Sequence, residues 1–113
     1  MTKKDDTIFI IHILDCIRNI EEYSKGLDEK SFLKNKIVQD AVLRNFEVIG
    51  EASKNISEEF KKLHQEIPWR KMAGMRDKLI HDYMGVDLFS VWAVIEQILP
   101  NLREGLEKIN SKL

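Results

Sequence analysis

An all-α fold, a bundle of four or five helices in a single domain over residues 1–113, is what this sequence predicts, on three observations. Apolar residues recur at threes and fours along most of the chain. No stretch alternates apolar and polar residues over the length of a strand. Cap-type residues and glycines fall between the periodic segments, where helices start and stop. At 113 residues there is enough chain for one hydrophobic core and too little for two.

The elements follow in order. Asp6 or Thr7 is placed to cap a first helix in which Ile8, Ile11, Leu14, Ile17 and Ile20 recur at threes, with Ile10, Ile13 and Tyr23 widening the stripe. This helix is expected to end near Gly26. Asp28 or Ser31 opens a long second segment with Val38, Val42, Phe46, Ile49 and Ile56 on one face and Ala41, Val48 and Ala52 on another. Gly50 lies in its middle, where glycine costs about 1 kcal/mol relative to alanine, so a close helix crossing is expected there. Ser57 caps a restart, Pro68 sits at a first helical position, and Gly85 with Asp87 turns the chain into a last helix. There Leu88, Val91, Ile95, Ile98, Leu102, Leu106 and Ile109 form the stripe, and Pro100 should kink or split it. The two apolar sides of the second helix, with Trp69 and Trp92, exceed what one small bundle needs to bury, so a symmetric homodimer is expected.

Composition excludes several classes. Charged residues make up 33% and hydrophobic residues 43%, as in a soluble globular chain. The run "IFIIHIL" is far shorter than the roughly 20 residues that span a bilayer. Asp5 and Asp6 precede it and no small-residue cleavage site follows, which argues against a signal peptide. One cysteine, Cys16, builds neither a disulfide framework nor a zinc site and reads as a core residue of a reduced, cytoplasmic protein. His12, His64 and His81 are far apart, no HExxH motif occurs, and no glycine loop could cradle phosphate, so neither a metal nor a cofactor is expected. His12 falls among apolar residues and reads as core or boundary; His64 reads as surface. A net charge of -1 argues against coating nucleic acid by bulk charge, but the charge is uneven. Residues 61–81 carry six Lys/Arg against two Asp/Glu, whereas residues 1–60 carry nine against twelve.

That basic stretch runs into "MRDKLIHDYMGVD" at 75–87, where Arg76, His81 and Tyr83 fall within eight residues. On an unbroken helix Arg76 and Tyr83 would point the same way about 10 Å apart, while His81 would lie roughly 140° round from Arg76. Arginine and histidine converge within one chain only if the helix bends or ends near Ile80, or else if a two-fold axis brings both copies into one groove. Such a set suits a reaction without a metal. Attack by an RNA 2'-hydroxyl on the neighbouring phosphate needs a base, an acid, and positive charge where the phosphorane forms. Two histidines, one neutral and one protonated, and two arginines meet that need. Because one chain holds only one suitable histidine, the dimer would complete the pair.

"RDKLIHDY" matches the Arg-x4-His-x-Tyr signature of HepT-like toxins, a branch of the HEPN superfamily. "RNFEVIGEASKNI" at 44–56 resembles that family's long second helix, and "IPWRKMAGMRDKLIHDYMGVD" followed by "VW" resembles its central block, so the resemblance covers essentially the whole chain. It implies an HEPN-type helical homodimer with the signature residues of both copies lining an interface cleft. It also implies a metal-independent endoribonuclease acting on tRNA or mRNA as the toxin of a type II toxin-antitoxin system. Arg76 then neutralises phosphate, His81 transfers protons, and Tyr83 is the residue to which an MntA-type minimal nucleotidyltransferase antitoxin adds AMP. AMP there would put bulk and negative charge where an RNA phosphate has to sit. Arg44, Asn45, Glu47 and Glu51 match the second-helix pattern and are candidates for RNA binding or support, or for a buried ion pair that fixes packing. Asp77 and Asp82 flank His81 and are either orienting groups or solvated charges. Lys71 and Lys78, with Lys61, Lys62 and Arg70, are candidate phosphate contacts. Trp69 could stack a base or belong to the core. A reading from a different class is a noncatalytic nucleotide- or RNA-binding helical module that regulates a partner nucleotidyltransferase.

Overall fold

The computed structural model describes residues 4–74 and 87–113, and among these there are helices and turns but no strand. Helix α1 spans Lys4–Ser24. Its fully buried apolar side chains are Ile10, Ile13, Leu14, Ile17 and Ile20, while Ile8 and Ile11 are 47% and 42% exposed and Tyr23 is also exposed. The expected stripe of threes is therefore corrected. At about 100° per residue a strict repeat of three drifts by about 60° at each step, whereas alternating threes and fours stays on one face. Gly26 ends this stretch with φ +79, a left-handed conformation open to glycine at no steric cost.

The long second segment is two helices. Asp28 caps the short α2, Glu29–Leu33, through a capping box with Ser31, and Asn35 caps α3, Lys36–Asn55, by accepting the Val38 N–H at 3.1 Å. The buried Gln39 closes the corner by donating to the Phe32 carbonyl at 2.9 Å. Along α3, Val42, Phe46, Ile49 and Ala52 are buried, and so is Gly50. Ser57 caps α4, Glu58–Leu63, by accepting the Phe60 N–H. Residues 69–74 form a further helical stretch, α5, in which the Met72 N–H donates to the Pro68 carbonyl.

Asp87 caps α6, Leu88–Ala93, by accepting the Phe89 and Ser90 N–H groups. A wide π turn at Val94–Ile98 leads into α7, Leu99–Ser111. The π turn falls where Pro100 demands it. An α-helix through this point would set the proline ring against the Glu96 carbonyl, and the wider turn, with the Leu99 N–H bonded to the Val94 carbonyl, opens that space. Trp92, Ile95, Leu99, Leu102, Leu106 and Ile109 carry the buried stripe, and Ile98 is exposed.

α1 packs chiefly on α3 and also on α7. Arg103 on α7 reaches Glu21 on α1 at 2.9 Å and Glu107 at 3.1 Å, and Glu107 in turn meets Arg18 at 3.2 Å. Both tryptophans belong to the core of one chain. Trp92 lies 5.2 Å from the Phe32 ring, and Trp69 packs edge-on to Phe60 while its indole N–H donates to the His64 carbonyl at 2.9 Å. At 6% and 8% exposure neither is available to a partner, which removes them from the argument for a dimer. No helix among the described residues is long and apolar enough to cross a membrane.

Candidate functional site

Two polar pins hold α1 in place, one to α3 and one to the cap of α4 just beyond it. Near the start of α1, Asp6 is buried and accepts the Ser57 N–H at 2.7 Å and the Ser57 hydroxyl at 2.6 Å. Near its end, Asn19 donates to the Asn45 side-chain carbonyl at 3.3 Å. The first pin lies 13 residues before the second along α1, while its partner Ser57, two residues past the end of α3, follows Asn45 by 12 residues, so α1 and α3 run antiparallel over about 20 Å. Asp6 is thus no cap of its own helix. It and Thr7 lie inside α1, and Asp6 braces the cap of α4 instead.

Between the pins lies a cleft of about 280 Å³. Its α3 wall is Arg44, Glu47, Val48, Glu51, Ala52 and Asn55, spacings that keep all six on one stripe of a helix. Phe9 and His12, one turn apart, supply the α1 wall. Phe9, Val48 and Ala52 make an apolar floor and the polar residues a rim. Arg44 is 72% exposed and lies 3.8 Å from Glu47, itself 41% exposed, so this is a loose ion pair in solvent rather than the buried pair that the apolar surroundings suggested. Cys16 is buried behind it. Burial first, then the neighbouring Asp15, pushes its thiol pKa up, and the Arg44 charge pulls it partly back.

The expected site residues separate accordingly. Arg44 and Glu51 line the cleft, with Glu47 between them. Asn45 does not: its amide donates to the Ala41 carbonyl at 2.8 Å and its oxygen holds Asn19, so it locks the helix pair. Lys71 is exposed on α5 beside Arg70, and Lys61 leans on Glu58 at 3.6 Å. Arg76, Lys78, His81 and Tyr83, with Asp77 and Asp82, lie outside the described residues. His12 is corrected from core or boundary to an exposed residue on the cleft rim. His64, expected at the surface, is half-buried, its ring 4.5 Å from Phe60 and its Nδ1 3.6 Å from Glu66. Phe9, His12 and Asn55 were not foreseen at a site. The signal was partly present in α1, because with 10, 13, 14, 17 and 20 turned inward, position 9 falls at the edge of the buried stripe and position 12 on the open side beyond it. Among the described residues no group of three or more His, Cys, Asp or Glu could hold a metal ion.

The helices among the described residues and the Arg-x4-His-x-Tyr signature in the sequence are those of an HEPN-type helical bundle. The description Ribonuclease HepT-like matches residues 13–109, and the chain belongs to that family. It is similar to a protein of Thermococcus cleftensis named "Probable ribonuclease HepT", at 46% identity over 95% of this chain and 97% of that one. It is likewise similar to a Methanocaldococcus jannaschii protein named "Gamma-glutamylcyclotransferase and putative RNase", at 46% identity over 98% of this chain. The chain spans half the length of that second relative. No solved structure matches at a significant level.

Proposed function

We propose that this protein is a metal-independent endoribonuclease that works as a two-fold dimer, with Arg76 and His81 of both copies at one cleft. The observation that carries the reading is the family match over residues 13–109, which takes in the whole of "RDKLIHDY". In the reaction a neutral His81 takes the proton of an RNA 2'-hydroxyl, whose oxygen bonds to the adjacent phosphorus. The protonated His81 of the second copy gives a proton to the departing 5'-oxygen, leaving a 2',3'-cyclic phosphate and a 5'-hydroxyl. Arg76 offsets the charge on the phosphorane oxygens. The protein is the toxin of a toxin-antitoxin pair, and an MntA-type nucleotidyltransferase silences it by adding AMP to Tyr83.

The test is cleavage of a tRNA and mRNA pool in excess EDTA by the purified protein beside Arg76→Ala and His81→Ala. Cleavage that survives chelation and disappears in both variants supports the reading. No cleavage by a well-folded dimer, shown by intact mass to be unmodified, overturns it in favour of a binding module. Intact mass after coexpression with an MntA-type nucleotidyltransferase tests the switch: an AMP adduct on Tyr83 is expected, and its absence would refute it.

A further inference from the structure

We infer that the cleft between α1 and α3 is a subsite for one nucleobase of the RNA, and that guanine is the base it fits. This rests on the ribonuclease reading for its substrate and on the cleft itself for its selectivity. Size comes first. At about 280 Å³ the cleft is at the small end of ligand sites, with room for a single ring system and none for a helix or a duplex. Its floor of Phe9, Val48 and Ala52 is apolar. A flat heterocycle can pack there as bases do on apolar and aromatic side chains.

Charge then narrows the occupant. Arg44 shares the rim with two carboxylates, Glu47 and Glu51, so acceptors outnumber the guanidinium and the cleft favours a neutral group rich in donors over a phosphodiester. A carboxylate only accepts hydrogen bonds. Guanine alone among the four bases presents two adjacent donors, N1–H and N2–H, on its Watson–Crick edge, with the O6 acceptor beside them. Adenine and cytosine set one amino donor beside an acceptor nitrogen, and uracil flanks one N–H with two carbonyls. Glu47 can take both of those donors on its two carboxylate oxygens, whereas each other base offers the carboxylate a donor for only one oxygen, and Arg44, one turn away on the same stripe and 3.8 Å from Glu47, is the donor to O6. That spacing is too long for a hydrogen bond between them, so an incoming base edge does not have to displace one.

The experiment uses the full chain and two readouts. Amide and imidazole NMR shifts are followed as guanosine, adenosine, cytidine and uridine are added, and cut sites are mapped on a random-sequence RNA pool, for wild type and Glu47→Gln. Guanosine should shift His12 and the α3 stripe and bind about five- to a hundredfold more tightly than the other nucleosides, the range of one well-placed paired contact. Glu47→Gln, at an exposed position, should keep the fold and lose that preference, and cut sites should lose a guanine bias at a fixed offset. Equal binding of all four nucleosides, no shift at the cleft, or capture there of a Lys/Arg-rich peptide that excludes guanosine overturns the subsite. Cleavage without base bias, unchanged in Glu47→Gln, also overturns it and leaves the ribonuclease reading intact. Guanosine-selective binding without cleavage does the reverse.

Discussion

Replacing Asp6 by Ala tests how α1 is held to the turn between α3 and α4. The carboxylate is 2% exposed and accepts two hydrogen bonds from Ser57, at 2.7 Å from N–H and 2.6 Å from the hydroxyl. Each is charge-assisted, and such bonds contribute about 1.5–3 kcal/mol each. Ser57 is half-buried, so water can partly replace the lost acceptor and the lower figure applies, giving about 3 kcal/mol for the pair. Alanine's better helix propensity returns about 0.5 kcal/mol. The expected loss is therefore about 2.5 kcal/mol, or about 10 °C in Tm for a domain of this size. Urea unfolding followed by circular dichroism measures it, with the m-value unchanged. Asp6→Asn keeps one acceptor without the charge and should lose roughly half as much. Ser57→Ala removes one of these bonds and the α4 cap, so the double variant should lose clearly less than the sum of the two. Additive losses, or a loss below about 1 kcal/mol for Asp6→Ala, would refute the pin.

Three further outcomes are expected. The Ser31 N–H, and then its hydroxyl, hold the Asp28 carboxyl below its usual pKa, so its contribution is present above about pH 4 and lost as pH falls through the lowered value; the stability difference between wild type and Asp28→Asn should shrink from pH 5 to pH 2, and a constant difference would count against the cap. Cys16, buried and raised in pKa, should react with iodoacetamide much more slowly in native protein than in urea, and equal rates would contradict its burial. A Cβ at Gly105 would stand 3.1 Å from the buried Ile67 Cδ1, so Gly105→Ala should fall short of the usual gain of about 1 kcal/mol and recover it in combination with Ile67→Val; additivity would mean that Ile67 moves aside freely.

Much of the fold was legible in the residues. Ser57 and Asp87 cap helices, Gly26 ends one, and Pro100 interrupts the last, because each acts on backbone within a few positions of itself. The long segment after Gly26 was read as one helix because its apolar period runs through; the break at Lys34–Asn35 is set by a local cap that the period hides. The Arg-x4-His-x-Tyr motif was legible as a string, and together with the blocks at 44–56 and 67–87 it carried the family.

What the sequence by itself determined is thus whatever depends on neighbours along the chain: helix type, most helix ends, the family signature and the absence of strands among the described residues. Only the tertiary structure decided the rest. Asp6 looks like a helix cap until Ser57, 51 residues away, is seen to donate to it. Asn45 looks like Arg44 and Glu51 until Asn19, 26 residues away, takes it out of the cleft. His12 reads as core or boundary until the buried stripe of α1 is phased against α3. A repeat of threes and fours fixes which residues share a face of a helix, but only the partner helix decides which edge of that face is covered and which is left open as a cleft.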